Sequence, residues 1–122
     1  MSDRPAVLII DDEEDIRDVL AFELGREGFD ATTAADGLQA LEAARGRHFD
    51  LAITDLKMPG MDGVATLLGL KAIDPAIRVL IATGYASAET RDRCMANGAC
   101  GYLQKPFDLE EILTVVTKTL SG

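Results

Sequence analysis

The sequence predicts an α/β fold, a doubly wound parallel sheet of five strands with helices on both faces. Short apolar runs alternate five times with segments whose apolar residues recur at helical spacing. The runs Ala6–Ile10, Leu51–Thr54 and 77–83 are the most apolar, which is typical of central strands buried on both faces. The polar run Asp30–Ala34 and the short run 100–103 suit the edges of the sheet. The predicted strand order is therefore 2-1-3-4-5.

The segments between the strands show helix signals. Gly28 suits a helix stop after the first helix. Asp36, Ser87 and Asp108 suit caps at the starts of the second, fourth and fifth helices. The side chains expected to face the core are Ile16, Val19, Leu20 and Leu24, then Leu38, Leu41 and Ala44, then Val64, Leu67 and Leu68, and finally Leu109, Ile112, Leu113 and Val116. The fourth helical segment, "SAETRDRCMANG", has a poor apolar stripe, which predicts weak packing.

Length and composition limit the class of protein. A chain of 122 residues predicts a single domain over residues 1–122, and 48% hydrophobic with 27% charged residues is a globular balance. The net charge of −9 argues against direct binding to nucleic acid. No apolar run approaches the ~20 residues of a membrane span. With no secretion signal, Cys94 and Cys100 are expected to be reduced thiols in the cytoplasm, and the lone histidine, His48, a solvated loop residue.

Carboxylates follow two of the predicted central strands. Asp11 and Asp12 come after the first strand, and Asp55 comes after the third. The carboxyl ends of these strands open into one crevice at the switch point of the sheet, so the three carboxylates are expected to meet there. Like charges at short range repel, and a hard cation relieves the repulsion. A few carboxylates with room for water suit Mg²⁺.

Two further groups are expected at the same edge. Thr83 ends the fourth strand and offers a hydroxyl, and Lys105 follows the fifth strand and offers a cation. A carboxylate nucleophile, a metal, a hydroxyl and an ammonium are the groups needed to accept a phosphoryl group. Asp11 and Asp12 could instead merely cap the first helix, but these additional groups favour a functional site.

With these motifs the chain resembles the receiver domain of two-component response regulators, which has a flavodoxin-like fold. The matching segments are "LIIDDEE", "LAITDLKMPGMDG", "IATGY" and "GYLQKPF", in this order and at suitable distances, and the resemblance covers nearly all 122 residues. It implies a phosphorylation-dependent signalling switch that accepts a phosphoryl group on Asp55 from a sensor histidine kinase or a phosphotransfer protein. Such a domain is not a conventional enzyme, but it catalyses its own Mg²⁺-dependent phosphorylation and dephosphorylation.

The resemblance also implies a role for each matched residue at the site. The implied Mg²⁺ ligands are Asp11, Asp12, Asp55 and the backbone carbonyl of Lys57, with Asp12 binding more directly than Asp11. Lys105 would contact the phosphoryl group, and its peptide bond to Pro106 resembles one that is cis in the family. The hydroxyl of Thr83 would move toward the phosphoryl group.

The response to phosphorylation is implied by the same resemblance. Tyr102 matches an aromatic residue that changes rotamer as Thr83 moves. The face formed by the fourth helix, the fifth strand and the fifth helix would then control a downstream protein or a fused output domain, and a phosphorylation-dependent homodimer is compatible with this behaviour. Lys57 and Tyr85 occupy positions that vary among receivers and tune dephosphorylation.

Three other functions compete with the switch. A phosphate-independent interaction module of receiver fold is the alternative, but the intact acidic residues and Lys105 argue against it. A flavin protein needs a phosphate-cradling loop after the first strand, where residues 11–13 are all acidic. A hydrolase of the haloacid dehalogenase type would carry a second aspartate at the position of Lys57.

Overall fold

Five strands alternate with five helices in the part of the chain that the computed structural model describes, residues 4–58, 60–84 and 87–121. The strands are β1 (Ala6–Ile10), β2 (Asp30–Ala34), β3 (Leu51–Thr54), β4 (Arg78–Thr83) and β5 (Gly101–Gln104). The helices are α1 (Glu14–Arg26), α2 (Gly37–Gly46), α3 (Gly63–Ile73), α4 (Ala88–Ala96) and α5 (Leu109–Ser121).

All neighbouring strands pair in parallel, in the order β2-β1-β3-β4-β5, which confirms the predicted topology. Strands β1, β2 and β3 have the predicted bounds, whereas β4 and β5 each begin one residue later. Ile77 is outside β4 because its N–H closes the preceding turn onto the carbonyl of Asp74, at 3.1 Å. Strand β5 extends to Gln104, which pairs with Thr83 at the end of β4.

The sheet separates two layers of hydrophobic core. Alternate residues of β1 point to opposite faces, as a pleated strand requires. Leu8 and Ile10 join a cluster with α2, α3 and α4, and Val7 and Ile9 join a cluster with α1 and α5. Because both faces are covered, the central strands are buried throughout, apart from the half-buried first residue of β4.

The capping predictions are confirmed. The side chains of Asp36, Ser87 and Asp108 each accept a hydrogen bond from the backbone N–H three residues later, at 2.8, 3.0 and 2.8 Å. Glu111 also accepts from the N–H of Asp108, which completes a capping box. Gly28 has φ +97° just after α1, the left-handed conformation that suits a helix end. None of the helices within the described residues has the length and apolar character to cross a membrane.

The helix faces agree with prediction only in part. Most of the side chains expected to face the core are buried or half-buried. The prediction is wrong for four of them, Val19, Leu38, Leu68 and Leu109, which have 60, 63, 48 and 37% of their surfaces exposed. In α2 the buried residues are Gly37, Ala40 and Leu41. A Cβ at Gly37 would clash with Thr66 and Met61 of the neighbouring segment, so α2 packs through Gly37 and turns Leu38 to solvent. The predicted weak packing of α4 agrees with the structure, in which, among the described residues, Cys94 is the one buried side chain of this helix.

Gly63 begins α3 at a place where the helix meets the backbone that follows β3. A Cβ at this residue would lie 2.6 Å from Cα of Leu56, and closer still to the carbonyl oxygen of Asp55. Backbone atoms cannot give way as a flexible side chain can. We expect Gly63→Ala to reduce the free energy of unfolding by about 1–3 kcal/mol, measured by urea denaturation.

The matched control for this substitution is Gly25→Ala in α1, where an added Cβ meets nothing within 4 Å. This variant should be more stable than wild type by roughly 0.5–1 kcal/mol, because alanine loses less backbone entropy in a helix. Equal stability of Gly63→Ala and wild type would show that α3 can move away from Asp55 without cost.

Candidate functional site

The site begins where β1 and β3 end side by side. Asp11 and Asp55 are the residues that follow these strands, and the N–H of Asp55 continues the ladder to the carbonyl of Ile10, at 3.1 Å. Carboxylate oxygens of Asp11, Asp12 and Asp55 all lie within 4.8 Å of one another. The predicted convergence of the three carboxylates is therefore present in the structure.

Lys105 places its ammonium group between two of these carboxylates. Its Nζ donates to Oδ2 of Asp11 at 2.6 Å and to Oδ2 of Asp55 at 2.9 Å. The residue is held just beyond β5 by a hydrogen bond from its N–H to the carbonyl of Thr83, and the bond to Pro106 is cis, as expected. Burial lowers the pKa of Lys105, but the hydrogen bonds and charges of the two carboxylates outweigh burial and raise this pKa above its ordinary value.

The carboxylate of Asp55 accepts three hydrogen bonds. Its Oδ1 accepts hydrogen bonds from the N–H groups of Leu56 and Lys57, at 2.7 and 3.3 Å, and its Oδ2 accepts from Lys105. Only 7% of the residue is exposed. The carboxylate is thus buried, and the three donors hold it in one orientation.

The two acidic residues after β1 are placed differently. Asp11 is buried, and both of its oxygens are engaged, Oδ1 by the N–H of Glu13 at 2.9 Å and Oδ2 by Lys105. Asp12 is exposed. Three carboxylates with one ammonium leave two negative charges in a small volume of oxygen donors, which fits a hard divalent cation.

An open cleft of about 920 Å³ leads to these groups from solvent. Its polar lining is Asp12, Glu13, Asp15, Asp55, Lys57, Thr83 and Lys105. Its apolar walls come from α1, from the segment between β5 and α5, and from the start of α5, including Ile16, Val19, Phe107 and Leu109. Thr83 lies at the end of β4 with 1% of its surface exposed, and it lines the same cleft as Asp55 and Lys105.

Tyr102 is in β5 but does not line this cleft. It is half-buried and packs against the core cluster that includes Cys94 of α4. Burial raises the pKa of the Tyr102 phenol, and the Cys94 thiol and the Asp55 carboxylate add to the increase. Tyr102 therefore packs on the face of the sheet that α4 covers, outside the lining of the cleft.

Other predicted residues lie at the margins. Lys57 is exposed beside Asp55, and Tyr85 is outside the described residues. His48 is exposed in the loop before β3, as expected, and its ring nitrogens lie 3.2 Å from Asp50 and 3.3 Å from Asp74. Sequence reasoning missed Arg17, whose Nη1 donates to the carbonyl of Asp11 at 2.9 Å. An arginine on a charged helix is too common a pattern to have revealed this contact.

Comparison with known proteins gives one family, described as the response regulator receiver domain, which matches residues 7–117. Sporulation initiation phosphotransferase F of Bacillus subtilis is 40% identical over 114 residues, covering 93% of this chain and 92% of the relative. Transcriptional regulatory protein ZraR of Escherichia coli O157:H7 is 41% identical over 115 residues, covering 94% of this chain and 26% of the regulator. The chain thus spans about a quarter of the length of that regulator.

Solved structures agree with the sequence relatives. A response regulator from Burkholderia pseudomallei, described with a phosphorylated aspartic acid, a calcium ion and citrate, has a TM-score of 0.88 and 32% identity. The match covers 96% of this chain and 69% of that one. The family match, the strand order and the cluster of aspartates all agree. The chain belongs to the receiver domain family of two-component response regulators.

Proposed function

We propose that this domain, taken as one unit over residues 1–122, is a switch that is phosphorylated on Asp55 by a sensor histidine kinase or a phosphotransfer protein. The observation that carries the proposal is the buried Asp55 carboxylate, oriented by Lys105 and two backbone N–H groups beside an open cleft. The Burkholderia relative described with a phosphorylated aspartic acid supports the same chemistry. The Bacillus relative named as a phosphotransferase supports it as well.

The transfer step forms a bond between an Asp55 oxygen and the phosphorus, while the bond from phosphorus to the donor atom breaks and its electron pair stays on the donor. Lys105 neutralises charge that develops on the phosphoryl oxygens. The Thr83 hydroxyl donates to one of these oxygens. The N–H groups of Leu56 and Lys57 keep the second Asp55 oxygen in place during the transfer.

The donor set also suits Mg²⁺. Asp11, Asp12, Asp55 and the backbone carbonyl of Lys57 would hold the ion, which when bound supplies positive charge beside the phosphoryl oxygens. Because both oxygens of Asp11 are already engaged by Glu13 and Lys105, Asp12 is the more available direct ligand. The same residues would support hydrolysis of the phosphorylated form, at a rate that the side chains at Lys57 and Tyr85 tune.

The proposed response to phosphorylation depends on the weak packing of α4. Only Cys94 of this helix is buried among the described residues, so little apolar contact holds α4 in one position. We infer that Thr83 and Tyr102 shift a two-state equilibrium of the face formed by α4, β5 and α5 when Asp55 is phosphorylated. That face would control a downstream protein or a fused output domain, or pair in a phosphorylation-dependent homodimer.

Intact mass measurement tests the acceptor directly. After incubation with Mg²⁺ and acetyl phosphate, wild type should gain one phosphoryl group, because the Asp55 carboxylate is oriented by its donors and lines the open cleft. Asp55→Asn should gain none, and EDTA should prevent uptake by wild type. Asp18→Asn, which removes an exposed charge from α1, is the matched control and should be phosphorylated like wild type. A folded wild-type protein that gains no phosphoryl group from acetyl phosphate or a kinase would instead favour a phosphate-independent interaction module.

Lys105→Met tests the ammonium group. Without it, two buried carboxylates face each other unpaired, so the metal-free variant should lose about 3 kcal/mol of unfolding free energy. Its rate of phosphorylation by acetyl phosphate should fall roughly 10²-fold, since a donor to the developing charge is gone. Urea denaturation and the time course of intact mass measure the two effects.

The control is Lys118→Met, which replaces an exposed residue of α5 and should change neither the unfolding free energy nor the phosphorylation rate.

The pH dependence of stability gives a further test of the ion pairing. The pKa of Lys105 is raised in the folded state, so the stabilisation that Lys105 contributes is present below the unfolded value of 10.5 and is lost as pH rises through the folded-state pKa. The stability difference between wild type and Lys105→Met should therefore narrow in strongly alkaline solution. A constant difference across that range would contradict the ion pairing.

A further inference from the structure

The most exposed carboxylate of the cluster depends on the backbone for its position. Asp12 is exposed, and no hydrogen bond to its side chain occurs among residues 4–58, 60–84 and 87–121. Asp11 and Asp55 are fixed by direct contacts to their carboxylate oxygens. The direction of the Asp12 Cα–Cβ bond is thus set by the peptide units around its Cα.

The peptide unit that joins Asp11 to Asp12 is held by Arg17. Nη1 of Arg17 donates to the carbonyl oxygen of Asp11 at 2.9 Å. A peptide unit is planar and includes the Cα of the next residue, so a contact that holds its oxygen restricts rotation of the unit and movement of the Asp12 Cα. The preceding peptide unit is held as well, because the N–H of Asp11 donates to the carbonyl of Ala34 at 3.2 Å.

The position of Arg17 in α1 allows it to hold the carbonyl of Asp11. It is half-buried in α1, and its own N–H donates to the carbonyl of Glu13 at 3.1 Å, so the side chain extends from a regular helix. Helix α1 has no side-chain cap on its first turn, because Glu13 makes none. Arg17 and the contact from the N–H of Glu13 to Asp11 therefore connect the loop to the helix.

We propose that Arg17 is a positioning residue for the metal site, which orients Asp12 toward the cleft and thereby strengthens Mg²⁺ binding. The proposal rests on the proposed function in one respect, that Mg²⁺ binds at these carboxylates. A positive charge near the site, acting as a charge alone, would weaken binding of a cation. Groups that orient a metal ligand typically change affinity by about 10- to 100-fold when removed. The two effects have opposite signs, so an experiment can separate them.

Calorimetric titration with MgCl₂ at constant ionic strength compares wild type, Arg17→Met, Arg17→Lys and Arg26→Met. Arg17→Met should bind Mg²⁺ about tenfold more weakly. Arg17→Lys keeps a donor on a long stem and should restore most of the affinity. Arg26, an exposed cation of the same helix that pairs with Glu23, is the control, and its replacement should leave the affinity unchanged. If Arg17→Met does not fold, Arg17→Gln takes its place.

Amide hydrogen exchange in EDTA gives a second readout that needs no metal. The N–H of Glu13, which donates to Asp11, should exchange faster in Arg17→Met than in wild type or Arg17→Lys. Equal or tighter Mg²⁺ binding by Arg17→Met would overturn the positioning role. A wild-type protein that binds no Mg²⁺ would overturn the metal part of the proposed function, and the exchange rates would still decide whether Arg17 holds the peptide.

Discussion

The ammonium of Lys105 lies between the carboxylates of Asp11 and Asp55, and the ends of β1, β3 and β5 meet through this contact. The three side chains are 15, 5 and 9% exposed, so none is well solvated. Buried charges of this kind are tolerated only when all of them are paired, since removal of one leaves the others uncompensated. In the proposed function, phosphorylation of Asp55 would add negative charge to the same group, and Lys105 directly follows β5, the strand that carries Tyr102.

The parallel sheet itself brings these side chains together, because they lie at or just beyond the ends of its strands. Parallel pairing aligns the carboxyl ends of β1, β3 and β4, so the residues at these ends share one edge of the sheet. The site is rigid because it stands on the core, where Asp55 continues the ladder from Ile10. Helix α4, which belongs to the proposed output face, is different, with Cys94 as its buried side chain. A rigid acceptor beside a loosely packed helix is a physical basis for a switch.

Much of this could be predicted from the sequence, because strands buried on both faces read as continuous apolar runs and polar residues directly follow them. The errors occurred where tertiary packing overrides apolar spacing. Leu38 is exposed because the closer approach of Gly37 sets the rotation of α2. Arg17 and Gly63 were missed because a contact to one carbonyl, or a close backbone approach, leaves no signal in residue type.

The most direct measurement is the set of backbone amide chemical shifts before and after phosphorylation with acetyl phosphate and Mg²⁺, with Asp55→Asn as the control. We expect changes at the site and throughout residues 83–108, including α4 and β5, because Thr83 and Tyr102 connect them to the acceptor. Changes confined to the neighbourhood of Asp12 and Asp55, with α4 and β5 unchanged, would contradict a switch that acts through this face.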